Sequence, residues 1–192
     1  VCNLGVDWLA LSFVQRAEDV EEARNLVNGR AAILSKIEKP AAVEAFDSIL
    51  EASDAIMVAR GDLGVELPVE AVPPIQKRLV RACRDRGKPV IVATQMMESM
   101  INSPVPTRAE VSDVAQAIYE GADAVMLSAE SAAGMYPVEA VSTMNRVAVE
   151  VEKDPIHRQV LEAARTPGKR GVSDAITVDA REIAETKNVK AI

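Results

Sequence analysis

Residues 55–64 read Ala-Ile-Met-Val-Ala-Arg-Gly-Asp-Leu-Gly, an apolar run that ends in a carboxylate set between two glycines. The apolar half, Ala55 to Ala59, predicts a buried strand, and the residues after it predict a glycine-bracketed turn. Gly61 would let the backbone approach a ligand closely, and Asp62 offers a hard oxygen donor. Asp beside Gly is also ordinary turn chemistry, so this stretch alone fits a plain turn as well as a site.

The same succession of apolar strand, polar residues and helical sequence recurs along the chain. The predicted strands cover residues 6–14, 31–37, 55–59, 89–93 and 124–127. Nearly continuous apolar strands are typical of parallel sheets that are buried on both faces. A strand at intervals of about 25 to 35 residues, each followed by helical sequence, predicts repeated βα units with right-handed crossovers.

The helical segments between the strands carry clear start and stop signals. Thr107-Arg108-Ala109-Glu110 is a capping box and marks the best-defined helix start. Pro137 opens a later helix whose apolar contacts are predicted at Val141, Met144 and Val151. A long helix is predicted over residues 69–86. We interpret the basic residues along it as a solvated face; they are Lys77, Arg81, Arg84 and Lys88.

An open doubly wound sheet and a (β/α)8 barrel both fit repeated βα units. Polar residues follow strand after strand here, whereas a doubly wound sheet concentrates them at one switch point. These residues are Ser12, Lys36, Glu38, Asp62, Thr94 and Glu130. We therefore expect an α/β fold of the TIM (β/α)8 barrel type. Since five strands cannot close such a barrel, the barrel is expected to be incomplete and the chain truncated at both ends.

The sequence pattern changes after Asp154, which predicts two domains. Residues 1–154 are expected to form part of the barrel, and residues 155–192 the beginning of a second α/β domain. In the second part we expect a helix to about Ala164, a basic linker over residues 166–171, a helix capped by Ser173 or Asp174, and a strand beginning at Val189.

Composition narrows the class of protein. The chain has 192 residues, of which 48% are hydrophobic and 3% aromatic, with a formal net charge of -7. Nucleic-acid binding needs positive charge and stacking rings, so it is not expected. No stretch approaches the roughly 20 apolar residues of a membrane span, and the start has no signal-peptide character. Cys2 and Cys83 have no metal-like spacing, which favours a reducing, cytoplasmic location.

Lys36 and Glu38 lie two residues apart, so in an extended strand both side chains project to one face and Ile37 to the other. Glu38 and Asp62, at the ends of successive strands, are suited to share a divalent cation, because Mg2+ takes carboxylate, phosphate and water oxygens. Lys36 beside them would supply positive charge to a phosphoryl group during its transfer. The simpler alternative is a surface ion pair near a strand end.

Five blocks of the sequence resemble the pyruvate kinase family in its own order and spacing. The blocks are Ser35-Lys36-Ile37-Glu38, Ala59 to Gly64, Ala93-Thr94-Gln95-Met96 with Glu98-Ser99-Met100, Pro106 to Glu110, and Ala122 to Ser128. The resemblance covers essentially the whole chain. It implies an enzyme that transfers the phosphoryl group of phosphoenolpyruvate to ADP, with Mg2+ (or Mn2+) and usually K+. It places the chain from the fourth to the eighth strand of the family's barrel and on into the C-terminal domain.

Residue by residue, the resemblance assigns Glu38 and Asp62 as metal ligands and Lys36 as the lysine that stabilises the phosphoryl group. Thr94 matches the hydroxyl that contacts the substrate carboxylate and assists proton delivery, and the amides of Gly61 and Asp62 match those that hold that carboxylate. The potassium ligands and the phosphate-binding arginine would lie outside this chain, so the isolated polypeptide is expected to be inactive. The stretch from Pro104 to Glu110 resembles the family's subunit contact, which implies a homo-oligomer, tetrameric in the full-length family.

Alternatives remain open at this point. Metal-dependent aldolases or lyases that act on phosphoenolpyruvate or pyruvate also place a Glu and an Asp at successive strand ends. Arg60-Gly61-Asp62 spells an adhesion tripeptide, which would make the chain a non-enzymatic interaction module, and a packing module is a third possibility. Arg60 itself is expected either to orient its loop or a subunit contact, or to form a plain surface salt bridge. Ser12 is expected to be structural, and nothing catalytic is assigned to Glu130.

Overall fold

The computed structural model describes residues 4–163 and 172–187 of the chain. At its centre lies a parallel sheet of five strands that neighbour one another in chain order. The strands are β1 (Trp8–Leu11), β2 (Ala32–Ile37), β3 (Ala55–Ala59), β4 (Val90–Ala93) and β5 (Ala124–Met126). The predicted α/β fold with a parallel sheet is confirmed. Because the strand order never reverses within this sheet, the sheet contains no switch point of the doubly wound kind.

Within the described residues, ten helices connect or follow these strands. They are α1 (Ala17–Val27), α2 (Pro40–Glu44), α3 (Phe46–Ala52), α4 (Arg60–Glu66), α5 (Val72–Arg86), α6 (Arg108–Tyr119), α7 (Ala129–Ala132), α8 (Pro137–Lys153), α9 (Pro155–Ala163) and α10 (Val172–Lys187). Short 3-10 segments at Val69–Ala71 and Glu98–Ile101 precede α5 and α6. No helix within the described ranges is both long enough and apolar enough to cross a membrane.

The two faces of the sheet bury different sets of side chains. One face packs against the helices and forms the main core, to which β2 and β3 contribute Ile33, Ile37, Ile56 and Val58. The opposite face carries a smaller apolar cluster centred on Leu34, Met57 and Ala93. Lys36 pairs in register with Met57, so it projects to this second face while Ile37 enters the main core. The predicted division between Lys36 and Ile37 is therefore confirmed.

The first strand differs from its prediction. It is limited to Trp8–Leu11, and its side chains are exposed or half-buried, with Trp8 49% exposed. The reason is its position, since β1 pairs with β2 alone among the described strands and forms an edge of the sheet. An edge strand lacks the neighbour that would cover it on its outer side.

The predicted turn after β3 is wrong. Residues Arg60–Glu66 form helix α4, which starts directly at the end of the strand. Glycine is a poor helix former, but Leu63 is fully buried in the main core and Leu67 closes the helix with a hydrogen bond to the Leu63 carbonyl. Tertiary packing of this kind regularly outweighs intrinsic propensity.

The capping box predicted at the start of α6 is confirmed. The Glu110 amide donates to Thr107 Oγ1 at 3.2 Å, and the Thr107 amide donates to Glu110 Oε2 at 2.7 Å. In α8, Met144 and Val151 are buried as predicted, but Val141 is 53% exposed. Ala140 takes the inward place, because the 3.6-residue period that passes through Met144 and Val151 also passes through position 140.

The basic residues around α5 do not form one solvated face. Lys88 Nζ donates to the carbonyls of Leu50, Glu51 and Ser53, at 2.7, 2.7 and 2.6 Å. Arg84 donates to the carbonyl of Glu120, directly after α6, and to the carbonyl of Leu161 in α9. That part of the prediction is wrong, because periodicity shows which side of a helix is polar and does not show which segment packs beside it.

The C-terminal part is described in two helices. α9 follows Asp154 as predicted and contacts α6, since Tyr119 donates to Asp154 at 2.5 Å and its ring meets the His157 ring edge-on. α10 begins at Val172, so Ser173 and Asp174 lie within its first turn and neither is the capping residue. The predicted linker over residues 166–171, the strand beginning at Val189, and Cys2 lie outside the described residues.

Candidate active site at the carboxyl ends of the strands

The strand ends are level with one another, which brings the polar residues that follow them to one edge of the sheet. Ile37 pairs with Val58, Ala59 with Ala93, and Ala93 with Met126. The carboxyl ends of parallel strands are where α/β proteins bind ligands. The predicted clustering of polar residues after successive strands is thus what the register produces.

Lys36 and Glu38 form an ion pair at the end of β2. Lys36 Nζ lies 2.5 Å from Glu38 Oε1, and the Glu38 side chain is almost entirely buried, with Lys36 one-quarter exposed. Lys36 Nζ also donates to Ser12 Oγ at 3.0 Å, and the Phe13 amide donates to Glu38 Oε2 at 2.7 Å. A surface ion pair was the simpler alternative, and the burial of Glu38 argues against it because a buried carboxylate requires fixed partners.

Thr94 and Gly61 form a second pair, between the ends of β4 and β3. The Gly61 amide donates to Thr94 Oγ1 at 2.6 Å, and this hydroxyl in turn donates to the Ala93 carbonyl at 2.6 Å. A Cβ atom on Gly61 would lie 3.1 Å from Thr94 Oγ1, so a side chain at that position would crowd the hydroxyl. Glycine at position 61 therefore serves the close approach of Thr94.

Arg60 is the most highly connected side chain of the region. Its Nη1 and Nη2 atoms each lie 2.7 Å from a carboxylate oxygen of Asp113 on α6. Nη2 also donates to the carbonyls of Thr94 and Gln95, at 2.9 and 3.2 Å. Thr94 and Gln95 both have left-handed backbone, with φ of 70° and 53°, which costs energy in residues with a Cβ. Arg60 therefore lies in a helix rather than in the predicted loop, and the segment that its contacts orient is the loop after β4.

The same contacts bear on the adhesion tripeptide. An adhesion ligand must present its arginine to solvent, but the Arg60 side chain is only 12% exposed and is paired with Asp113. The Arg60 guanidinium is committed to holding the loop after β4. That physical arrangement argues against the adhesion alternative.

Asp62 lies in the first turn of α4 and is exposed. Lys39 Nζ lies 2.5 Å from Glu66 Oε1 at the end of the same helix. This hydrogen bond raises the pKa of Lys39, and the charges of Asp62 and Glu38 raise it further.

The donor set fits a hard divalent cation. Glu38 and Asp62 supply carboxylate oxygens from adjacent strand ends, which is the chemistry that Mg2+ prefers. Within the part of the chain that the structure describes, no three His, Cys, Asp or Glu side chains are grouped so as to hold a metal ion. A pair of carboxylates is what the sequence predicted, and Mg2+ commonly completes its shell with water and substrate oxygens.

The structural role of the Glu130 side chain was not predicted from the sequence. The Glu130 side chain is buried, and its two oxygens accept from the amides of Met97 and Ser128, at 3.2 and 2.7 Å. It thereby links the segment after β4 to the segment after β5. The available signal was a glutamate shortly after an apolar strand, where burial demands backbone donors.

Comparisons with known proteins agree with the motifs. Residues 1–141 match the family model described as the pyruvate kinase barrel domain. The chain is 60% identical over 188 residues to a pyruvate kinase of Methylorubrum extorquens and 51% identical over 192 residues to one of Geobacillus stearothermophilus. A crystal structure of a pyruvate kinase from Cryptosporidium parvum aligns with a TM-score of 0.90 at 42% identity over 98% of the chain. These matches favour the pyruvate kinase resemblance over the aldolase alternative.

Each of these proteins is much longer than the chain. The chain spans 39% of the Methylorubrum protein, 33% of the Geobacillus protein and 41% of the Cryptosporidium chain, while 98% of the chain itself is covered in each case. What the larger proteins do as a whole is therefore a proposal for the present chain.

Proposed function

This chain belongs to the pyruvate kinase family, and from that premise we propose that the protein containing it transfers the phosphoryl group of phosphoenolpyruvate to ADP. One observation carries the proposal: the Lys36 ammonium is held against the buried Glu38 carboxylate at the strand-end edge that also presents Thr94. In the reaction the bond from phosphorus to the enol oxygen breaks and a bond to the terminal oxygen of ADP forms. The enolate that remains takes a proton at its methylene carbon and becomes pyruvate.

Lys36 is proposed as the catalytic residue that stabilises the phosphoryl group. The developing charge of phosphoryl transfer is spread over peripheral oxygens, and a positioned cation lowers the barrier with little reorganisation. Lys36 is one-quarter exposed, so its ammonium can reach a ligand while its partners fix its position. The same contact makes Lys36 a substrate-binding residue.

Thr94 is proposed to contact the substrate carboxylate and to assist proton delivery to the enolate. Its hydroxyl donates to the Ala93 carbonyl and accepts from the Gly61 amide. A bound carboxylate would compete with Thr94 Oγ1 for the Gly61 amide. The Asp62 amide, which follows it at the start of α4, would be a neighbouring donor. Amides at a helix start suit an anionic group because their donors and the helix dipole favour negative charge.

Glu38 and Asp62 are proposed to hold Mg2+ or Mn2+. When bound, such a cation polarises phosphoryl oxygens and offsets their negative charge. Glu38 keeps lone pairs for a metal even though each of its oxygens accepts one hydrogen bond. K+ is a further expected cofactor, with ligands outside this chain.

The finer architecture belongs to the same proposal. We assign residues 1–154 to strands four to eight of a TIM (β/α)8 barrel and residues 155–192 to the start of a C-terminal α/β domain. The sequential strand order and the exposed edge strand β1 support an incomplete barrel. A cytoplasmic homo-oligomer, a tetramer in the full-length family, is proposed from the family resemblance.

The test uses the full-length gene product in an assay that couples pyruvate formation to lactate dehydrogenase. Lys36→Met should lower kcat at least 100-fold, the scale of losing one positioned charge-stabilising group. Lys77→Met is the matched control, because Lys77 is a largely exposed lysine of α5 that pairs with Glu120 and not with a residue of the candidate site. Pyruvate formation by Lys36→Met at the rate of Lys77→Met would refute the role of Lys36.

The isolated 192-residue polypeptide provides a second test. We expect no measurable turnover from it, because part of the substrate-binding machinery is proposed to lie elsewhere in the protein. Turnover by the purified polypeptide in the same coupled assay would show that this division of the site is wrong.

A further inference from the structure

We propose that Ser12 and Phe13, the two residues that follow β1, are positioning residues that aim the Lys36 ammonium and fix the Glu38 carboxylate. This inference rests on the proposed function, because Lys36 and Glu38 matter for catalysis only if they act on a phosphoryl group and its metal. Ser12 does not touch the reacting atoms in this scheme. It acts through Lys36.

Two neighbouring acceptors set the directions of the Lys36 ammonium protons. Leu11 pairs with Ser35, so the next residue on β1's side, Ser12, lies beside Lys36 at the edge of the sheet. Lys36 Nζ donates to Ser12 Oγ at 3.0 Å and lies 2.5 Å from Glu38 Oε1. An ammonium group carries three donors. With two of them directed to fixed acceptors, the third has one remaining direction, and that donor is available to a ligand.

The Glu38 carboxylate is held at both of its oxygens. The Phe13 amide donates to Glu38 Oε2 at 2.7 Å, while Lys36 holds Oε1, so each oxygen of Glu38 has its own donor. The carboxylate plane is thereby fixed from two sides. Glu38 has 1% of its surface exposed, so solvent does not compete for these contacts.

The backbone of Phe13 adopts an uncommon conformation. Its φ is 59°, a left-handed conformation that an aromatic residue adopts only when its surroundings hold it there. Phe13 is 61% exposed, with the Lys39 ammonium 5.4 Å from its ring centroid, so deep burial of the residue is not what holds the conformation. The hydrogen bond to Glu38 is the contact that this backbone conformation makes.

The two contacts together pre-organise the lysine. A free lysine side chain loses much rotamer freedom when it is fixed, and that cost is avoided at the moment of reaction if the side chain is already held. Removing the Ser12 hydroxyl should therefore affect transition-state stabilisation more than substrate binding. The effect should appear in kcat, with KM little changed.

The experiment compares Ser12→Ala, Ser12→Thr and Ser48→Ala in the full-length protein. Ser48 is the control, because it is an exposed residue of α3 whose hydroxyl donates to the Ala45 carbonyl. Ser12→Ala should lower kcat about tenfold, the size of one lost hydrogen bond to a charged group, with KM for phosphoenolpyruvate within about twofold. Ser12→Thr restores the hydroxyl and should bring kcat back to within about threefold of the wild type.

Two readouts separate this role from others. Mn2+ affinity measured by electron paramagnetic resonance should be the same for Ser12→Ala and the wild type, because Ser12 is not a metal ligand. Labelling of Lys36 by an amine-reactive ester, followed by peptide mass mapping, should be at least about threefold faster in Ser12→Ala, since the ammonium loses one of its two acceptors. Ser12→Thr and Ser48→Ala should label at the wild-type rate.

The outcomes distinguish the two proposals. A wild-type protein without pyruvate kinase activity would overturn the proposed function, while the Lys36 labelling rates would still decide whether Ser12 holds the lysine. Equal labelling of Lys36 in the wild type and Ser12→Ala would overturn the positioning role. So would an active protein in which Ser12→Ala keeps kcat within twofold, or one in which Ser12→Thr is as impaired as Ser12→Ala.

Discussion

Lys88 ties the end of α3 to the start of β4, and its removal should loosen α3 selectively. In Lys88→Met the apolar stem is kept and the three donors to Leu50, Glu51 and Ser53 are lost. The last carbonyls of a helix have no partner within the helix, so these contacts satisfy groups that nothing else in α3 can satisfy. A net hydrogen bond to a charged group contributes about 1.5–3 kcal/mol. Three such bonds share one ammonium and one stem whose ordering costs about 2 kcal/mol.

Taking the lower limit for each bond and subtracting the ordering cost, we expect a total loss of about 2.5 kcal/mol, a factor of roughly 70 in the local opening equilibrium. Native-state hydrogen exchange of peptides covering Phe46–Ala52 measures that equilibrium directly. Lys77→Met is the control, because Lys77 is 64% exposed and pairs with Glu120 at 3.4 Å, a contact of under about 1 kcal/mol. Exchange of α3 in Lys88→Met within threefold of its rate in Lys77→Met would refute the reasoning.

Three further predictions follow from the described contacts. Arg60→Lys keeps the charge but loses the fork that grips Asp113 and the loop carbonyls, so kcat of the full-length protein should fall at least tenfold; a change under twofold would contradict this. Burial raises the pKa of Cys83 to about 12, so iodoacetamide should label it only after unfolding in urea, and labelling of the native protein would count against a buried thiol. Burial opposes ionisation of Glu110, but hydrogen bonds from Ser99 and then Thr107 hold its pKa below the ordinary value of 4.5. Its contribution to stability is then complete above about pH 4.5 and is lost as the pH falls through the lowered value, so Glu110→Gln should lower the melting temperature at neutral pH and lower it less in acid.

Apart from β1, the strands were predictable to within one residue, and so was the start of α6, because they depend on local pattern. The strand Ala55–Ala59 has the predicted bounds, and the capping box places the start of α6 at Arg108. Both features follow from interactions within a few residues. α4 was not predictable in the same way, because two glycines favour a turn locally and only the burial of Leu63 makes the helix stable.

The sequence nominates candidate site residues but does not show their contacts. Lys36, Glu38 and Thr94 are candidates because each lies at or just past the end of an apolar strand and matches a motif. Which groups they contact depends on register and on chain segments far away in sequence, as with Arg60 and Asp113, which are 53 positions apart. No periodicity or motif in either segment encodes that pairing, because it depends on where α6 packs in the folded chain.

The loop after β4 shows why charged residues that touch no substrate can matter to this site. Its left-handed residues Thr94 and Gln95 are held through their carbonyls by Arg60, and the loop is held again through the Met97 amide by the buried Glu130. Arg60 donates to backbone carbonyls of the loop and Glu130 accepts from a backbone amide, so both kinds of backbone group in the loop are held. A neutral pair of side chains could satisfy the same atoms more weakly, since bonds to ionised groups are about twice as strong. A loop that must keep two left-handed residues and present one hydroxyl needs the stronger bonds, and this accounts for an arginine and a glutamate flanking Thr94 in space.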